Sequence, residues 1–200
     1  MTAFRRTKHG VVVSFDEVEA SLLRHLVSEV RVLLEADSEA GPEDGLRDRP
    51  DDRPQQGPAV ADADAELAEL TRFGDAELER PDDPVLARLL PDGYRDDPDA
   101  AGEFRRLTES SLRRGKRAAA DALLADLPES GGGEVRLDAE TTERWLTVLN
   151  DVRLALGTRL DVAEDMPEPD PDDPDAPAYV VYLWLTELQG VLIEVAADPD

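Results

Sequence analysis

Apolar residues recur at spacings of three and four from Val18 through Leu22, Leu26, Val30 and Leu33, which predicts an amphipathic helix. Leu23, Val27 and Leu34 widen that stripe to about half of the circumference, as expected of a helix packed against several others. Ser14 followed by Glu17 has the form of a capping box at its start. Ahead of it, Gly10 to Phe15 is apolar enough for a short strand.

From Asp37 to Ala63 the pattern gives way to Gly, Pro, Gln, Asp and Arg, a mix that buries too little apolar surface to offset chain entropy. The expectation for 37–63 is a disordered loop. Leu67, Leu70 and Phe73 then predict a short helix over Ala65 to Phe73, ended by Gly74. Asp83 before Pro84 reads as an N-cap with a first-turn proline, and it opens a short helix through Val85, Leu86, Leu89 and Leu90 that Pro91 stops. Asp97 and Pro98 repeat the device. They begin a longer helix that carries Phe104, Leu107, Ser111, Ala118, Ala122 and Leu123 up to Pro128, with Gly115 a soft point costing about 1 kcal/mol relative to alanine.

Gly131 to Gly133 form a loop, Glu134 to Leu137 gives at most one short strand, and Asp138 is a natural N-cap for the next helix. Trp145, Leu146, Leu149, Val152 and Leu156 are its core face, and Gly157 stands where a helix-ending glycine is common. Pro167 to Pro177 alternates Pro with Asp and Glu and reads as an extended linker. The last helix, Tyr179 to Ala197, is apolar on nearly every side, so it is either central or at an interface. The fold class expected is mainly α: one domain over 1–200, a compact bundle of about five to six helices with room for one minor two-stranded β element.

Composition narrows the function. The 200 residues contain no cysteine, which excludes disulfides, thiolate metal sites and thiol redox switches. The opening Met-Thr-Ala-Phe-Arg-Arg lacks the apolar run of a secretory signal, so a cytoplasmic protein is expected. Glu187, Gln189 and Glu194 argue against a membrane span for the last helix. With 47 acidic against 22 basic residues the net charge is −25, and such a surface repels nucleic acid and anionic membranes.

No enzyme motif emerges, and no cofactor is expected. His9 and His25 have no ligand partners at metal spacing. Asp170, Asp172, Asp173 and Asp175 look superficially like a calcium loop, but they lack the turn glycine and are broken by Pro171 and Pro174. Gly131 to Gly133 lack a P-loop lysine, and Ser110 and Ser111 have no neighbouring histidine.

One window departs from the acidic background. Arg105, Arg106, Arg113, Arg114, Lys116 and Arg117 hold only Glu109 among them, a local charge of +5 that leaves −30 for the rest of the chain. Arg106, Arg113 and Arg117 fall near one helical face. Two readings stand: a docking strip for an acidic protein surface or phosphate, or pairing within the molecule with the surplus acids. A second polar cluster, Asn150, Asp151, Arg153 and Arg159, serves either as helix-surface pairing or as a buried device fixing helix register.

Three stretches together carry a resemblance. The first is Leu89-Leu90-Pro91-Asp92-Gly93-Tyr94-Arg95-Asp96-Asp97, continuing through Ala100, Glu103, Phe104, Arg105, Arg106, Thr108 and Glu109. The second is Trp145-Leu146 with Leu149-Asn150-Asp151-Val152-Arg153-Leu154-Ala155-Leu156-Gly157-Thr158-Arg159-Leu160, then Glu164-Asp165. The third is Tyr182-Leu183-Trp184-Leu185 with Leu188-Gln189. In order and spacing they resemble an actinobacterial family catalogued as domain of unknown function twenty-seventeen. Tyr94, Arg95, Trp145, Asn150, Asp151, Arg153, Gly157, Arg159 and Trp184 mark its motifs here.

The resemblance implies a compact helical protein, sometimes labelled a transcriptional regulator, linked with oxidative stress and an extracytoplasmic-function sigma factor. Similar proteins are often encoded beside the Clp protease adaptor, and no enzymatic activity comes with the family. The expectation is a regulator that binds a protein partner through the arginine face or the last helix. Direct DNA binding, a structural homodimer built on the last helix, and a proteolysis-associated adaptor are the alternatives.

Overall fold

A computed structural model describes residues 2–36, 81–94, 96–163 and 172–197. The expected loop over 37–63, the helix over 65–73 and Arg95 lie outside them. The described elements are β1 (Ala3–Thr7), β2 (Gly10–Phe15), α1 (Glu17–Ala36), α2 (Pro84–Leu89), α3 (Pro98–Asp126), β3 (Gly133–Leu137), α4 (Ala139–Arg159) and α5 (Ala176–Ala197). The class is mainly α with a minor sheet, but that sheet has three antiparallel strands in the order β1-β2-β3 rather than two.

The missed strand is β1, where Arg5 and Arg6 interrupt any apolar alternation. It is an edge strand whose residues are mostly exposed, and it joins β2 through Lys8-His9, with Thr7 opposite Gly10. On the inner face, Phe4 lies across from Val13, which faces Val135 on β3, and Val11 lies across from Leu137. Val12 points the other way yet is buried, flanked in register by Arg5 and Arg136, whose aliphatic stems can shield it. At Gly10 (φ +127°) a Cβ would come within 2.0 Å of the Leu137 carbonyl oxygen, so β2 and β3 close together only with glycine there.

The core lies between this sheet and the helices. Leu23, Val27 and Leu34 of α1 join Leu86 and Leu89 of α2, Leu123 of α3, Trp145, Leu149 and Val152 of α4, and Leu185, Leu188 and Leu192 of α5. Helix α1 packs on α3, while α2 and α5 pack on α4, and α5 also crosses β1. The Phe15 and Trp145 rings stack at 6.0 Å, joining sheet to helix. The Trp145 indole N–H donates to Asp126 Oδ2 at 2.8 Å, and Arg144 lies 3.6 Å from the same oxygen.

Several helix ends differ from those expected. Ser14 is inside β2, and the capping box of α1 is formed two residues later. Asp16 Oδ1 accepts from the Glu19 N–H at 2.9 Å, and Glu19 Oε2 accepts from the Asp16 N–H at 3.0 Å. Asp83, Asp97 and Asp138 cap α2, α3 and α4 as expected. Helix α4, however, runs past Gly157 to Arg159. The Val162 N–H then reaches the Gly157 carbonyl at 2.9 Å and the Asp161 N–H reaches that of Thr158 at 3.3 Å, a Schellman pattern with Asp161 in the left-handed position at φ 50°. Gly157 is instead buried under Tyr182, where a Cβ would lie 3.0 Å from the ring. Residues 172–175 of the expected linker form a turn in which Asp173 Oδ1 accepts from the Asp175 N–H. Helix α5 has begun by Ala176, with Pro177 in the first turn where its missing N–H is tolerated.

Candidate partner-binding surface

Helix α3 has 29 residues, about 43 Å at the usual rise, against 20 residues and about 30 Å for α1. Its apolar burial is concentrated at the C-terminal end, where Ala120 and Leu123 enter the core. Of the core face expected from periodicity only Leu123 is buried. Leu107 is 69% exposed and Phe104 41%, while Glu109 and Arg113 are turned inward. Periodicity locates a stripe but not the length of helix that neighbours cover, and here the cover favours one end.

The loop ahead of α3 folds back on this half. Asp92 pairs with Arg105, the Tyr94 ring meets Phe104 edge-on at 6.1 Å, and a Cβ on Gly93 would press into the Phe104 ring at 2.7 Å. The first of the resembling stretches is therefore one local unit. Beside it, Phe104, Thr108, Ser111, Leu112, Gly115 and Ala119, with Thr147 from α4, line an open and mostly apolar groove of about 480 Å³. Leu112, 39% exposed, carried no sequence signal because it falls off the expected stripe.

The six cations of the strip divide. Arg105 is held by Asp92. Arg113, 6% exposed, pairs with the equally buried Glu109 at 2.8 Å. Lys116 Nζ lies 2.6 Å from Asp151 on α4, and Arg117 lies 3.0 Å from Glu35 on α1, which also receives Arg31 at 3.5 Å. Arg106 and Arg114 are exposed and have no ion pair among the described residues. The arginines at 106, 113 and 117 thus do not form one solvent-facing row. Exposed on this half of α3 are Phe104, Leu107 and Leu112 with Arg114 beside Leu107, while Arg106 is exposed on the opposite side of the helix from Phe104 and Leu112.

The second motif lies on α4. Asp151 is buried, and burial pushes its carboxyl above the ordinary carboxylate value, with the Lys116 ammonium pulling part of the way back. Asn150 Oδ1 accepts from Arg153 Nη2 at 3.2 Å. Arg159 is exposed and borders a small hollow of about 100 Å³ with His25 and Glu29. In the third stretch, Trp184 is half-buried against the core, and Gln189 Nε2 reaches the Leu146 carbonyl at 3.5 Å, linking the motifs on α4 and α5.

Helix α5 remains apolar outward as well as inward. Leu185, Leu188 and Leu192 are buried, while Val180, Leu183 and Ile193 are 65%, 48% and 48% exposed. It is long and apolar enough to cross a membrane by length and composition alone, and Glu187 and Glu194 lie on its exposed side. Among the described residues no three His, Asp or Glu side chains gather as metal ligands.

Comparison with known proteins agrees with the motif reading. Relatives named "Oxidative stress regulator AosR" from Mycobacterium tuberculosis (strain ATCC 25618 / H37Rv) and Mycobacterium bovis (strain ATCC BAA-935 / AF2122/97) are each 34% identical over 191 residues, covering 88% of this chain and 78% of theirs. No solved structure matches it. The family described as Domain of unknown function (DUF2017) matches residues 1–196, and the chain belongs to that family.

Proposed function

We propose that this is a non-enzymatic, cytoplasmic regulatory protein that binds a protein partner in transcription control, with an extracytoplasmic-function sigma factor as the class of partner. The observation that carries the reading is the open apolar groove on α3 lined by Phe104 and Leu112, with Leu107 exposed towards its edge and Arg106 and Arg114 exposed elsewhere on the same helix. An exposed apolar groove on a helix that also carries exposed arginines suits an amphipathic partner helix whose polar face supplies carboxylates. The name shared by the relatives supports a regulatory role. Because the chain contains no cysteine, the proposed role is that of a binding subunit whose oxidant signal comes from elsewhere.

Direct DNA binding has less support, because four of the six strip cations are already matched by carboxylates and the net charge is −25. The test is cross-linked recovery of sigma factors from the native cell with wild type, Leu107→Ser and the double variant Arg106→Glu/Arg114→Glu. Recovery by wild type and loss from both folded variants supports the reading. Equal recovery by all three moves the contact elsewhere, and recovery of no sigma factor removes that partner.

A second reading rests on α5. Val180, Leu183, Gly190 and Ile193 are placed symmetrically about the middle of the helix. In an antiparallel pair Val180 would face the partner's Ile193, and Leu183 would face the partner's Gly190, whose Cβ position is open. A molar mass that stays monomeric across a wide concentration range would remove this homodimer.

A further inference from the structure

A polar cleft of about 380 Å³ lies where α2, α4 and α5 meet, lined by Arg88, Arg153, Gly157, Thr158, Asp161 and Tyr182, with Leu154 and Val162 on its apolar side. Its two arginines, like Arg106 and Arg114, have no carboxylate partner among the described residues, whereas six others do. Arg5, Arg31, Arg105, Arg113, Arg117 and Arg144 each have a carboxylate within ion-pair distance. Among the described residues Arg153 meets the neutral Asn150 oxygen at 3.2 Å, and its Nε, like one N–H each of Arg113, Arg117 and Arg144, is buried with no acceptor. Arg88 is exposed at the cleft edge and pairs with no described residue, and Asp161, the acid of the lining, forms no ion pair with either. The cleft therefore brings together two arginines that no described carboxylate neutralises.

The hollow is also held in shape. Asn150 stands one turn before Arg153 and steadies its guanidinium. Gly157 stands one turn after it and admits the Tyr182 ring, which a side chain there would displace. The volume is within the range of small-molecule pockets and larger than a bare inorganic anion needs. We propose that this cleft binds a small organic oxyanion. Arg88 and Arg153 hold its phosphate or carboxylate head by charge-assisted, fork-shaped hydrogen bonds, and the body of the ligand lies against Leu154, Val162 and Tyr182.

Phenyl phosphate and benzoate, titrated calorimetrically into the full chain at physiological salt, test the proposal and distinguish the two head groups. Saturable binding of one probe at a single site is expected, weakened about tenfold or more in Arg88→Gln, an exposed position whose variant should fold. Asn150→Leu, which leaves the charge but frees the guanidinium, should weaken the same probe by a smaller factor. Absence of saturable binding for both probes at millimolar concentration overturns the proposal. So does binding that is unchanged in folded Arg88→Gln and Arg153→Gln, or that an equal ionic strength of chloride abolishes.

Discussion

The Lys116 ammonium lies 2.6 Å from the Asp151 carboxylate, and with side chains only 15% and 7% exposed this pair is the charged joint between α3 and α4. Removing one partner leaves a charge facing a largely desolvated site, whereas replacing both with apolar groups removes the desolvation along with the attraction. Asp151→Leu, which leaves the Lys116 ammonium without its acceptor, is expected to cost about 3 kcal/mol, while Lys116→Met with Asp151→Leu recovers most of that loss. Urea-unfolding midpoints of wild type and the two variants measure it. Similar losses in the single and double variants would show that apolar packing cannot replace the pair.

Asp16 and Asp138 behave in the opposite sense to Asp151. The Glu19 and Thr141 N–H groups donate to them and hold both carboxyls below the ordinary value of 3.8. Their stabilisation is present above the unfolded value and is lost as pH falls through the lowered folded one. The Asp151 contribution is present below 3.8 and lost as pH rises through its raised folded value. Asp138→Ala is therefore expected to lower the urea midpoint at neutral pH, with the gap to wild type closing in acid. A gap that stays constant with pH would assign the loss to something other than the ionised cap.

Two substitutions that look conservative on a helix should differ in sign. Asp161→Gly relieves a left-handed residue at φ 50° and is expected to stabilise by about 1 kcal/mol. Gly157→Ala, which helix propensity alone would favour, is expected to destabilise because the new methyl stands 3.0 Å from the Tyr182 ring. Thermal unfolding of the two variants decides it, and stabilisation by both would mean that Tyr182 moves aside freely.

Trp145 is 1% exposed, stacked on Phe15 and bonded to Asp126. Trp145→Phe keeps the stack but leaves Asp126 without the indole donor, and a loss of about 1–2 kcal/mol is expected. Trp145→Ala should cost about 3–5 kcal/mol through the added cavity. Denaturant titration followed by circular dichroism separates the two, and equal losses would place the energetic weight on the hydrogen bond.

Some of this was readable from the chain. The Asp-Pro pairs at 83–84 and 97–98 announce their helices because the cap and the restricted proline φ are local properties. The first of the stretches that carried the family resemblance also becomes one structural neighbourhood in the Asp92, Gly93, Tyr94, Phe104 and Arg105 unit. Illegible features depend on distant partners. Ala3–Thr7 becomes a strand because β2 offers an edge, not because Arg5 and Arg6 favour one. Arg117 and Lys116 look like docking cations until Glu35 and Asp151 arrive from 82 and 35 residues away. Gly157 resembles a helix stop until Tyr182 lies over it.

Arg6 donates from β1 to the Val195 and Ala196 carbonyls at the end of α5, across separations of 189 and 190 residues. During synthesis the strand is made about 190 residues before its helical neighbour, so this contact must wait until α5 has left the ribosome. Until then the apolar surface awaiting α5 is exposed, which makes this stage of biogenesis a natural point for chaperone capture.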